Sequence, residues 1–398
     1  MPRPTAHRIP FGSAHGHTEA DLWTLDSGTG VRAEVLTYGG VLHSLTVPDT
    51  AGRPGHIVRS LTGIDDYTGE NPYFGAVVGR YANRIAHGRF TLDGTTHHIP
   101  VNDRGHALHG GPDGFHTKVW RATARVTRTA AALRLTLRSP DGDMGFPGAL
   151  DAAVTYTLDA TGTLALDYTA TTDRPTVVNL TNHAYLNLGG GDILGHTLEV
   201  DADHYLPIDP DGIPEGPAAP VRGTPFDLTA PRRVGERITL PHEQLRLAGG
   251  FDHCWILRDP DPDPDPDPDP EPEPDQDAEQ DADPEPGPDP AAGPRHPGSL
   301  RRAARLTAPD AARTLEIWTT EPGIQVYTAN QLDGTFTDAR GRRHGRHGSV
   351  CLETQHLPDS PNRPAHPSTV LRPGDTMRSR TEWRFPHLTG APGNARAD

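Results

Sequence analysis

Apolar and polar residues alternate over much of this chain. Leu133, Leu135 and Leu137 alternate with Arg134, Thr136 and Arg138, a period of two that gives a pleated strand one apolar face. Val154, Tyr156 and Leu158 repeat the pattern. After the turn Asp159-Ala160-Thr161-Gly162 it resumes at Leu164, Leu166 and Tyr168, which predicts a hairpin. Asp93-Gly94 predicts another, because that dipeptide suits the positive φ angles of a tight turn. Leu315, Ile317, Ile324, Val326 and Tyr327 mark two further strands around Glu321-Pro322-Gly323. No long stretch carries a helical period. Short helical turns are expected near Asp65-Asp66-Tyr67 and Pro241-His242-Glu243-Gln244. Many short strands broken by Gly and Pro predict an all-β sandwich or barrel.

One segment differs in kind. From Asp259 the chain runs through Asp-Pro and Glu-Pro repeats, and strand pattern resumes only at Leu300 and Leu306. Proline removes backbone donors and like charges repel, so this reads as a disordered acidic loop inserted into a domain. The expected organisation is one β-sandwich domain over residues 1–390, interrupted at 259–299, with a loose tail over 388–398.

The insert changes how the charge is read. The chain of 398 residues carries 53 acidic residues, and 15 of them lie between Asp259 and Pro290. The other 38 face 37 lysines and arginines, so the rest is nearly neutral. That leaves no basic surplus for nucleic acid and no polybasic membrane anchor. The N-terminus has no apolar signal region and no run is long enough to span a bilayer, so the cytoplasm is the expected compartment. Cys254 and Cys351 form no CxxC pair and read as buried thiols on core strands. Lys118, the only lysine, lies in a polar stretch.

Five short segments hold polar residues in Gly-, Asn- or Thr-rich frames. They are Gly79-Arg80-Tyr81-Ala82-Asn83-Arg84-Ile85, Leu108-His109-Gly110-Gly111, Asn179-Leu180-Thr181-Asn182-His183-Ala184-Tyr185, Gly250-Phe251-Asp252-His253 and Leu352-Glu353-Thr354-Gln355. Together they supply a guanidinium, two imidazoles and two carboxylates, a set able to grip a polyhydroxylated ligand and move its protons. Each residue also has a plainer reading. Glu353 fits a surface strand carboxylate, His183 a core histidine, Arg84 a structural ion pair and Asp252 a turn carboxylate. His15-Gly16-His17, His97-His98 and the stretch from Gly341 to His347 read as loop or turn residues.

In this order the segments resemble the aldose 1-epimerase (galactose mutarotase) family. So do Thr319-Thr320-Glu321-Pro322-Gly323-Ile324-Gln325-Val326-Tyr327-Thr328 and Leu371-Arg372-Pro373-Gly374-Asp375. The resemblance implies a large antiparallel β-sandwich, a galactose mutarotase-like supersandwich, with the sugar on its open concave face. It implies Glu353 as catalytic base, His183 as acid and His109 as a second histidine beside the reacting oxygens. Asn83, Arg84, Asp252 and Gln325 match hydroxyl-binding positions. The expected reaction interconverts α and β anomers of free hexoses such as galactose and glucose by ring opening and closure. It needs no cofactor and no metal, and the expected partner is the aldose alone, with the chain a monomer or homodimer. An ordinary Glu is ionised at neutral pH, and a neighbouring carboxylate would raise the protonated share of His183. On those values the acid limb of a bell-shaped pH profile belongs to the carboxylate and the alkaline limb to the imidazole. Alternative readings are a hexose-6-phosphate 1-epimerase, a non-catalytic sugar-binding sandwich, and a metalloenzyme using His109, His183, Asp252 and Glu353. The acidic insert departs from the family pattern and raises the question of whether it covers the cleft.

Overall fold

The computed structural model describes residues 3–259 and 298–389. The acidic insert, apart from its edges, and the last nine residues lie outside them.

The alternation folds as it reads. Ala130–Ser139 pairs antiparallel with Leu150–Asp159, which pairs with Leu164–Thr172. This register sets Leu133 beside Tyr156 and Leu166, and Leu135 beside Val154 and Tyr168. All six are buried in one core. These strands begin a nine-stranded sheet that continues through Met377–Arg384, Thr314–Thr319 and Arg301–Thr307. A seven-stranded sheet has Asp252–Leu257, Gly323–Tyr327 and Val350–Gln355 at its centre. Trp255, Ile324, Val326 and Leu352 leave one face of it and join the same core. The two layers also touch through a hydrogen bond between the Thr354 and Thr381 hydroxyls, 2.6 Å long. A five-stranded meander from Thr5–Ala14 to Pro54–His56 forms the N-terminal sheet.

Helices are few and short. Two of them, Ile64–Thr68 and Glu243–Ala248, sit where short helical turns were expected. No helix among the described residues is long and apolar enough to cross a membrane.

Three local readings change, and one connection crosses between sheets. Thr314–Thr319 and Gly323–Tyr327 flank a turn yet do not pair; they lie in different sheets. The crossing at Glu321-Pro322 is pinned by His356, whose Nδ1 lies 2.7 Å from the buried Glu321 carboxylate, and by the Leu257 N–H, which donates to the Pro322 carbonyl. His97 and His98 are strand residues, because the turn at Asp93-Gly94 pairs them with Phe90 and Arg89. Within the stretch from Gly341 to His347, Arg343–Gly345 pairs with Asp333–Thr337. Leu388 belongs to a short helix, Pro386–Thr389, and packs against the core. His15 and His17 do lie in a turn.

Candidate active site

The floor of the site follows from strand register. Glu353 pairs with Gln325, Gln325 with Cys254, and Tyr327 with both Asp252 and Cys351. Paired residues leave the same face of a sheet. With Trp255, Ile324 and Leu352 committed to the core, Asp252, Gln325, Tyr327, Cys351 and Glu353 must leave the other face. Glu353 is the fourth residue of Val350–Gln355, so it sits inside a strand and not at its end. It is 2% exposed and not a surface carboxylate.

Loops build the walls. The chain enters the left-handed region at Asn83 (φ 59°) and again at His109 (φ 52°). The two segments clasp each other: the His109 N–H donates to the Asn83 carbonyl (3.1 Å), and the Asn83 N–H donates to His109 Nδ1 (3.2 Å). Gly110 permits the approach, since a Cβ there would lie 2.1 Å from the Gly79 carbonyl oxygen. His183 is held through its backbone. Its N–H donates to the Ala76 carbonyl, and its carbonyl accepts from the Gly75 N–H.

All seven expected site residues line one cleft of about 370 Å³: Asn83, Arg84, His109, His183, Asp252, Gln325 and Glu353. Nε2 of His183 lies 3.7 Å from Oε1 of Glu353. Gln325 donates from Nε2 to Asp252 Oδ1 at 2.8 Å, which fixes both side chains. Oε2 of Glu353 and Oε1 of Gln325 are buried and have no hydrogen-bond partner among the described residues. Both residues line the cleft, and acceptors left without a partner beside it suit a ligand rich in hydroxyl donors.

Arg84 makes the structural ion pair and also stands at the cleft. Its Nε is held by Asp103 at 2.8 Å, and the guanidinium still lines the cleft. Asp103 and Tyr73 are cleft residues that sequence reasoning missed. Tyr73 packs edge-on against His109, with ring centroids 4.6 Å apart. Neither residue stands in a frame that distinguishes it from an ordinary polar or aromatic loop residue.

Burial sets the proton affinities. It pushes the Glu353 carboxyl well above its usual range; Asp252 adds to this and Arg84 opposes it. It pulls His183 down to about 4, against a smaller opposing contribution from the residue's own backbone. A carboxylate neighbour was expected to hold a proton on His183; the cost of burying the charge lowers its proton affinity instead. His109 is also held well below its usual value, first by burial and then by His183, Arg84 and His116.

The ligand atoms of His109, His183 and Glu353 lie within 4.8 Å of one another, which raises the question of a metal. The hydrogen bonds argue against one. Nδ1 of His109 already accepts from the Asn83 N–H, so the ring proton sits on Nε2. A metal ligand needs a free imidazole lone pair there. That tautomer leaves the His109 Nε2–H as a hydrogen-bond donor.

Both cysteines are buried free thiols. Lys118 is paired with Asp113 at 2.6 Å.

The sequence model of the aldose 1-epimerase family matches residues 21–384. Galactose mutarotase of Rattus norvegicus is 37% identical over 358 residues, which cover 89% of this chain and 91% of that protein. Aldose 1-epimerase of Escherichia coli (strain K12) is 32% identical over 369 residues, 92% of this chain and 94% of that protein. Among solved structures, galactose 1-epimerase from Lactobacillus acidophilus NCFM has a TM-score of 0.76 at 25% identity, covering 96% of this chain and 98% of its own. The aldose epimerase homologue from C. elegans, at 24% identity, has a TM-score of 0.74 over 96% of this chain and 99% of its own and shares the fold.

Proposed function

The chain belongs to the aldose 1-epimerase family and is a mutarotase; on that premise we propose that Glu353 and His183 interconvert the anomers of a free hexose such as galactose or glucose. Glu353 takes the proton of the anomeric hydroxyl while His183 gives one to the ring oxygen. The ring opens to the aldehyde, the C1–C2 bond turns, and closure on the other face reverses both transfers.

The observation that carries this reading is the approach of His183 Nε2 to Glu353 Oε1 across one cleft. Their environments suit the two tasks. A carboxylate with raised affinity for protons is a stronger base, and an imidazolium with lowered affinity is a stronger acid. His109 donates from Nε2 to a sugar oxygen. Asn83, Arg84, Asp252 and Gln325 take the ring hydroxyls.

A phosphorylated sugar fits less well. The cleft's two arginines, Arg84 and Arg104, both bond Asp103, and Asp252 and Glu353 add two more carboxyl groups. A neutral aldose needs no spare cation. Polarimetry on freshly dissolved α-galactose and α-glucose tests the reading. Faster loss of rotation than the uncatalysed rate is expected for both, with glucose 6-phosphate the poorer substrate. No acceleration on either free sugar would overturn it.

A further inference from the structure

The two ring nitrogens of His183 have different neighbours. Nε2 faces Glu353. Nδ1 lies 3.7 Å from the sulfur of Cys351, and both residues are buried. The strand explains the contact, because Cys351 precedes Glu353 by two residues in Val350–Gln355 and leaves the same face. Tyr185, paired with Cys351 in the sheet, also packs against the imidazole, with ring centroids 5.2 Å apart. The group at Nδ1 is therefore a thiol, where a carboxylate or carbonyl commonly orients a working imidazole.

We propose that Cys351 is a positioning residue, whose sulfur accepts from Nδ1–H of His183 and so leaves Nε2 as the nitrogen that takes a proton and gives it to the sugar. In the neutral ring Nδ1–H donates to the sulfur lone pairs and Nε2 has a free lone pair. In the imidazolium the same Nδ1–H···S contact persists, so the Nε2 proton comes and goes while no proton leaves sulfur. A thiol is a weak partner in both directions. A carboxylate at Nδ1 would stabilise the imidazolium and blunt its acidity; the thiol orients the ring without doing so. Cys351 stays protonated, because burial, then Glu353 and Asp252, push its pKa well above the ordinary thiol range.

The proposal rests on His183 as the acid, and its test separates the two ideas. Nitrogen NMR of the full-length protein reads the His183 tautomer directly, with the signal assigned by its loss in His183→Asn. Wild type should show the neutral ring's proton on Nδ1. Cys351→Ala should shift the ring toward a mixture and lower kcat by about 10-fold, the order of one net hydrogen bond, with KM changed less. Cys351→Ser, which restores a donor and acceptor, should recover most of both. A His183 tautomer that stays as in wild type in Cys351→Ala overturns the proposal. So does an equal loss in the Ala and Ser variants. A changed tautomer with an unchanged rate would leave the thiol's hold on the ring standing and refute His183 as the acid.

Discussion

Oε1 of Glu353 and Nε2 of His183, from separate segments of the chain, lie 3.7 Å apart, and both side chains are buried. At that distance they share protons as a pair. On the proposed mechanism the reactive form holds one exchangeable proton between them, with Glu353 ionised and His183 charged.

Burial raises Glu353 and lowers His183 to about 4, which reverses the limbs expected from ordinary values. As pH falls through about 4, a second proton enters on His183 and the base is lost. As pH rises through the elevated Glu353 value, the last proton leaves and the acid is lost. A pH profile of kcat/KM should therefore be bell-shaped, with an acid limb near 4 and an alkaline limb displaced upward from any ordinary carboxylate. A rate that does not fall on acidification through about pH 4, or an alkaline limb in the ordinary carboxylate range, would contradict the pairing.

Stability should fall in mild acid. Burial lowers His43, His116, His183 and His196 each to about 4 and His253 to about 3. In the unfolded chain these rings titrate near about 6.5. Below that value the unfolded state binds more protons, so stability is lost as pH drops from 6.5 through about 4. His356 runs the other way, since Glu321 outweighs the effect of its burial. The denaturant midpoint should fall steeply across this window. An unchanged midpoint would show that these histidines are not buried in their neutral form.

Asp103 should matter through Arg84. It holds Arg84 Nε at 2.8 Å and is itself partly exposed. Asp103→Ala should raise KM for galactose by about 10-fold, the order of one charge-assisted hydrogen bond, with a smaller change in kcat. A fall in kcat at constant KM would place Asp103 in the chemistry instead.

Most of the sheet framework was legible in the sequence because it is local. Leu133, Leu135, Val154 and Tyr156 announce strands through alternation, and Asp93-Gly94 announces its own turn. The sheet assignment of Thr314–Thr319 and Gly323–Tyr327 was not legible, because tertiary pairing through Glu321 and His356 decides it. The seven cleft residues were found through their sequence frames and a family resemblance; the partner of Arg84 and the neighbour of His183 Nδ1 had no frame to betray them. The direction of the Glu353 and His183 shifts was missed for the same reason. Alternation says which face a residue leaves by, and it does not say that a polar face is roofed over.

The acidic insert should be dispensable for catalysis. The chain departs toward it at Arg258, beyond the end of Asp252–Leu257 that lies away from Asp252. Six strand residues span about 20 Å, which separates the point of departure from the cleft. Replacing residues 260–297 with a short Gly-Ser linker should leave kcat/KM within about 3-fold, a change of under 1 kcal/mol in barrier. A loss of 100-fold or more would mean the insert serves the site.

The central claim is that Glu353 takes the anomeric proton. Glu353→Gln keeps the side chain's shape and removes a buried carboxyl whose raised pKa costs stability above pH 4.5, so the variant should fold at least as stably as wild type at neutral pH. Polarimetry on freshly dissolved α-galactose should then find its kcat lowered by about 10² to 10⁴-fold, the worth of one positioned proton-transfer group. A folded Glu353→Gln protein that equilibrates the anomers at the wild-type rate would contradict the account.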